Sequence, residues 1–245
     1  MSFKYPNKDN AGGRRRFLQV LTSGALVITA SGLSGNTAEA VVPATDPDSK
    51  KLLIPPVEVL MGEHGVLNRV LLIYGEYLRR LNAGADLPPA ALFDAANIIR
   101  SFIEDHHEKL EEDFLFPGFR KADKLVDLVD VLGEQHKAGR RLTDSILMIA
   151  QAGRLKDVQD KQKLADTLDL FVRMYGPHQA REDTVLFPAF RTIVSPDEYD
   201  ALGEDFLSKE HELFGGGGFE IIVDRVAAIE KILGIYGLSQ FTPHT

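Results

Sequence analysis

Cysteine and tryptophan are both missing from this chain of 245 residues. Without cysteine there is no disulfide, no thiolate metal site, no iron–sulfur cluster and no cysteine nucleophile. Positive charge is scarce too: 28 Lys and Arg face 36 Asp and Glu, and the body of the chain holds no basic patch. Nucleic acid is not an expected partner of such a surface. No stretch sustains an alternation of apolar and polar residues, so no sheet is expected. What the chain does have is a hydrophobic content of 44%, enough for one domain with a sizeable core.

The N-terminus differs from the rest. Arg14, Arg15 and Arg16 precede an apolar stretch from Phe17 to about Ala30, and small residues then lead to Ala38-Glu39-Ala40. A basic region, an apolar region and an A-x-A site follow each other in an export signal. The apolar stretch is short and carries Gln19, Thr22, Ser23 and Gly24, which argues against stable membrane insertion. The run Arg14-Arg15-Arg16-Phe17-Leu18 is similar to a twin-arginine signal, a reading preferred to an ordinary secretory signal. Residues 1–40 are therefore expected to be an export signal cleaved after about Ala40. Residues 41–55 are expected to be a linker, and the folded part to be periplasmic or extracellular. Beyond residue 40 the chain has 23 basic and 34 acidic residues, a net −11, which suits a protein that avoids nucleic acid and anionic membrane.

Four long segments with helical periodicity follow. They run from about Pro56 to Leu81, from Pro89 to Arg120, from Leu125 to Ala152 and from Asp160 to Val194. Prolines open the first two, and glycine or Ser-Pro closes the others. Two shorter segments lie on either side of Gly215–Gly218. The expected fold is all-α: an antiparallel four-helix bundle over 56–195 with a helical extension over 196–245.

The bundle contains an internal repeat. His107-x3-Glu111 followed by Leu115-Phe116-Pro117 recurs as His178-x3-Glu182 followed by Leu186-Phe187-Pro188. A lone histidine precedes each copy, His64 after Glu63 and His136 after Glu134-Gln135. The body reads as a duplicated helix pair, each pair carrying one lone His and one His-x3-Glu.

Residues four apart share a helix face, so His107 points with Glu111 and His178 with Glu182. All six candidates fall on the apolar stripe of their helix. Among the stripe neighbours are Leu60, Met61 and Leu67 for His64, and Leu132, Thr143 and Ile146 for His136. Two carboxylates and four imidazoles in a core are costly unless compensated, and no Lys or Arg lies on these stripes. One or two divalent cations supply the compensation. Imidazole with carboxylate suits iron, zinc or manganese better than calcium or magnesium. A single buried histidine is more often a hydrogen-bonded core residue, but six positions in one register, in two copies, on four helices point to metal. His106 is one position off the stripe and its repeat counterpart is Pro177, so it is expected to be partly exposed or to support a ligand from behind. His211, after Glu210, is a candidate extra ligand, and His244 is expected in solvent.

In this order, and with Leu-Phe-Pro after each pair, the residues over 57–191 resemble the hemerythrin-like HHE cation-binding domain. The resemblance implies a non-haem centre of two iron ions, with His64 and His136 as lone ligands, His107 with Glu111 and His178 with Glu182 as paired ones, and the glutamates bridging. Manganese or zinc are the alternative metals. The sequence departs from the oxygen-carrying pattern at Arg140, where a second histidine would stand four residues after His136. That departure favours binding or sensing of oxygen or a related small molecule over simple oxygen carriage. The rival readings are a redox enzyme acting on peroxide or nitric oxide and an iron-handling protein. No acid, base or nucleophile constellation stands out beyond the ligands, so the balance is against an enzyme. A redox partner is left unidentified. A ferritin-like Glu-x-x-His occurs once, Glu104 to His107, but Tyr175 replaces the glutamate in the second copy, so that alternative is rejected.

Overall fold

The computed structural model describes residues 54–151 and 154–243. The expected export signal, most of the linker and His244 lie outside the described residues.

Six helices make up the described chain, and no strand occurs among these residues. Helix α1 is Pro56–Ala83, opened by a proline at its first position, which needs no N–H donor there. Gly84 closes it in the left-handed region, φ 61°, where its N–H reaches back to the last turn. Helix α2 spans 89–121 and helix α3 is Val126–Ala150. Helix α4 spans 158–190, with the Asp157 carboxylate accepting from the backbone N–H of Gln159 and Asp160 as an N-cap. Helix α5, Pro196–Phe214, has Ser195 as its cap, and helix α6, Gly218–Leu233, ends on the left-handed Gly234.

Helices α1 to α4 form a closed ring: α1 packs on α4, α4 on α3, α3 on α2 and α2 on α1. Helix α5 lies on α1, and α6 covers α1 and α2. The core comes in two apolar clusters. One holds Leu67, Tyr74, Phe102, Ile146, Phe171 and Tyr175; the other holds Leu60, Leu110, Phe116, Leu132, Phe187 and Phe206. Along each of the four helices, the six candidate ligands fall between residues of the two clusters. A polar layer thus separates two apolar ones. Not every expected stripe residue is core: Met61 is 44% exposed, because it falls on the outer edge of the α1 stripe. No helix among the described residues is long and apolar enough to cross a membrane.

Helices α2 and α4 are not regular. Turns Glu111–Leu115 and Glu182–Leu186 are π-helical, each immediately before a Phe-Pro pair. A proline ring clashes with the carbonyl four residues back in a regular helix. Widening the turn relieves that clash at Pro117 and Pro188, and such widened turns concentrate at functional sites. Residues Ile99–His107 of α2 are π-helical as well.

Candidate metal centre

The layer between the two apolar clusters brings together all six residues expected from the sequence. His64, His107 and Glu111 offer one ligand atom each, all within 4.8 Å of one another, and so do His136, His178 and Glu182. Every one of the six is at most 4% exposed.

The glutamates lie between the two groups. Glu111 places Oε1 3.8 Å from His107 Nε2 and Oε2 3.4 Å from His136 Nε2. Glu182 places Oε1 3.2 Å from His178 Nε2 and Oε2 3.4 Å from His64 Nε2. Each carboxylate thus turns one oxygen to each histidine pair. None of these four oxygens makes a hydrogen bond, and neither do the Nε2 atoms of His64 and His136. So many unsatisfied buried polar atoms are uncommon in a fold and need a reason. The separations supply one. Direct N–H···O bonds centre near roughly 2.9 Å, whereas two donors sharing one cation at about 2.1 Å lie roughly 3.0 to 3.5 Å apart. The donor set fits a pair of imidazole–carboxylate cation sites.

The other ring nitrogen of each histidine is already occupied. His64 Nδ1 is 2.8 Å from Asp183 Oδ1, and His107 Nδ1 is 2.8 Å from Glu63 Oε2. His136 Nδ1 is 3.1 Å from Glu112 Oε1, and His178 Nδ1 is 2.8 Å from Gln135 Oε1. Each acceptor takes the Nδ1 hydrogen and leaves Nε2 as the free donor, aimed at the glutamates. Such outer partners orient ligating histidines and raise their basicity. Two rings are also stacked: Phe187 lies 5.4 Å from His64 at 19°, and Phe116 lies 5.4 Å from His136 at 21°.

These partners obey the repeat. Glu112 and Asp183 each follow a glutamate of the layer, and each holds the lone histidine of the other copy. Phe116 and Phe187 of the two Leu-Phe-Pro runs do the same. Sequence reasoning missed all four as site residues, although the repeat carried the signal: an acidic residue after each Glu, and an identical Phe at the same offset.

Electrostatics reinforce the picture. Burial, and then the neighbouring Glu182 charge, push the Glu111 carboxyl well above the usual range. The pair cannot both ionise without a cation beside them. Burial lowers His136 to about 4. For His64 burial acts downward too, but Asp183 and Glu182 outweigh it and raise the ring to about 9. Glu63 is pushed up by burial and then pulled down to about 2 by hydrogen bonds from His106 and His107.

Three further residues were singled out in the sequence. Of the two readings of His106, support from behind holds and surface exposure does not: it is 2% exposed, and its Nε2 lies 3.1 Å from Oε1 of Glu63, the acceptor behind His107. His211 is exposed on α5 and joins no cation-binding group among the described residues, because the buried face of that turn is taken by Glu210. Arg140 is paired with two acids of α2. Its guanidinium lies 2.9 Å from Glu108 and 2.8 Å from Glu112, where it fills the only other group of cation-site dimensions among the described residues, Glu108, Glu112 and His136. Beyond it lies a buried polar cluster with no sequence signal: Glu108 accepts from the Tyr175 hydroxyl at 2.7 Å, and Glu104 from Thr143 at 2.5 Å. Tyr175 fits only because position 139 is glycine; a Cβ there would overlap its hydroxyl.

Comparison with known proteins agrees with this geometry. The model of the hemerythrin HHE cation-binding domain matches twice, over residues 55–154 and 127–230. Uncharacterized proteins of Mycobacterium bovis and of Mycobacterium tuberculosis strain H37Rv are each 47% identical over 235 residues, 95% of this chain and 92% of the relative. No solved structure matches significantly. This chain, with its two-copy layer of histidines and glutamates, belongs to the hemerythrin HHE cation-binding domain family.

Proposed function

We propose that the chain is an exported metalloprotein whose antiparallel four-helix bundle holds a non-haem diiron centre and binds or senses oxygen or a related small molecule. His64 and His107 would hold one iron and His136 and His178 the other, with Glu111 and Glu182 bridging. The observation that carries this reading is the set of unsatisfied buried atoms. Four carboxylate oxygens and two imidazole nitrogens face each other without a hydrogen bond, the imidazoles held in place from behind.

Iron held by these residues would supply electrons to a small ligand. The residues around it do the rest. Phe116 and Phe187 wall the layer from one apolar side and Tyr175 from the other, which excludes water and limits access to small molecules. The four Nδ1 acceptors lock ring orientation. Zinc meets the same donors without adding electron transfer, whereas manganese shares that capacity with iron.

Cycling tests this reading. The reduced protein is exposed to air and then deoxygenated, and its absorption is followed. A reversible change is expected. An irreversible one, or none at all, contradicts oxygen binding.

One observation favours a second reading, a redox enzyme acting on peroxide or nitric oxide. Glu104, Glu108 and Tyr175 form a buried cluster of ionisable groups beside His178. Burial raises all three groups, against the pull of the Arg140 charge. Steady consumption of peroxide by the iron-loaded protein would select it. The twin-arginine leader over 1–40 belongs to the same proposal, since that route carries folded proteins with their metals in place.

A further inference from the structure

The two histidine pairs are matched in geometry but not in charge. Glu63 and Gln135 occupy equivalent places in the repeat, each immediately before a lone histidine. Each accepts from an Nδ1 at 2.8 Å, Glu63 from His107 and Gln135 from His178. One acceptor is a carboxylate and the other a neutral amide. A carboxylate behind the ring makes the imidazole a stronger donor and adds negative charge near the cation. Glu63 is fully buried and has no Lys or Arg partner among the described residues, so its charge is met by the rings of His106 and His107 rather than by water or a permanent cation.

The second pair of acceptors tips the same way. Asp183, behind His64, has no Lys or Arg partner among the described residues. Glu112, behind His136, is offset by Arg140 at 2.8 Å and Lys109 at 2.8 Å. The His136–His178 side therefore has an amide and a compensated carboxylate behind it; the His64–His107 side has two carboxylates without such compensation. The anchor is one-sided as well. Glu63 is steadied through its other oxygen by His106 Nε2 at 3.1 Å, and the repeat counterpart of His106 is Pro177, which has no ring donor.

Resting on the reading that these six residues hold two metal ions, we propose that Glu63 makes the His64–His107 position the tighter of the two and the first to fill. Glu63 is a positioning and charge-setting residue, not a ligand. Its partner Gln135 keeps the second position weaker.

The test is anaerobic titration of the metal-free full chain with ferrous iron, followed by calorimetry, for wild type, Glu63→Gln and Gln135→Glu. Both substitutions are close to isosteric, and the charge-adding variant stands as an independent arm if Glu63→Gln folds poorly. Wild type is expected to take up two ions in two steps. Glu63→Gln should weaken the first step by roughly 10-fold or more. Gln135→Glu should strengthen the second step and leave the first within about twofold. Equal positions give the reverse pattern: Glu63→Gln spares the first step and weakens the second, while Gln135→Glu strengthens the first. That pattern, or steps that neither variant moves, overturns the proposal. Uptake of fewer than two ions by wild type is a different failure, because it removes the diiron reading itself along with the inference drawn from it.

Discussion

Each side chain of the layer has two jobs divided between two atoms. In the histidines, Nδ1 is spent on a fixed acceptor and Nε2 is left free. In Glu111 and Glu182, the two oxygens face different histidine pairs. This division predicts unequal losses on substitution. Glu182→Ala removes a donor from both positions and should lower the content of both metals. His178→Ala should empty chiefly one. Metal analysis of the two variants, alongside circular dichroism to confirm the helices, checks the difference; equal losses would argue against bridging.

Protonation gives a second residue-scale prediction. Without a cation, His64 keeps its proton up to about pH 9. Because this lies above the ordinary value near 6.5, the group stabilises the metal-free fold fully below that value, and the contribution fades as pH rises through 9. A metal needs the same nitrogen unprotonated. Loading at neutral pH should therefore release protons, and affinity should fall as pH is lowered. Calorimetry in buffers of different ionisation enthalpy reads the number directly. No buffer dependence would contradict the assignment of His64.

At the scale of elements, the Leu-Phe-Pro runs are the least obvious devices. The widened turn starts at the glutamate and ends at the Phe-Pro pair, and the phenylalanine crosses to cover the lone histidine of the other copy. Phe187→Ala should cost about 3–5 kcal/mol, because the ring is almost fully buried. It should also loosen His64, which a weakened metal uptake would report. Asp157→Ala removes the α4 cap and should cost about 1 kcal/mol with metal content unchanged. Chemical denaturation of the two variants separates the effects.

The helices themselves were legible in the sequence because apolar periodicity and proline or glycine stops are local signals. The six layer residues were legible because they interrupt that periodicity twice in the same register. Of their supports, only His106 was weighed as one. Glu112 and Asp183 follow charged neighbours and read as ordinary surface acids. His106 reads as off the stripe until the widened turns of α2 rotate it inward. Arg140 reads as a missing histidine, whereas its partners Glu108 and Glu112 lie on another helix, a pairing that no local pattern reports.

At the largest scale the described residues form a bundle interrupted by a polar layer, with α5 and α6 laid against one side. A layer of buried carboxylates and imidazoles destabilises the fold until cations fill it. Stability should thus be coupled to metal. At a free metal concentration of about 100 times the dissociation constant, one site adds about 2.7 kcal/mol. For a domain of this size each kcal/mol is worth roughly 2–4 °C. Removing the metal with a chelator should lower the Tm by several degrees, and restoring iron should recover it. An unchanged Tm would mean that the layer is satisfied without metal.

The central claim is that this layer holds two metal ions, and metal analysis of the purified full chain tests it most directly. The expected result is about two iron ions per chain, falling in correctly folded His107→Ala and Glu182→Ala variants. A wild-type chain that carries none, or variants whose content equals that of wild type, would contradict the account.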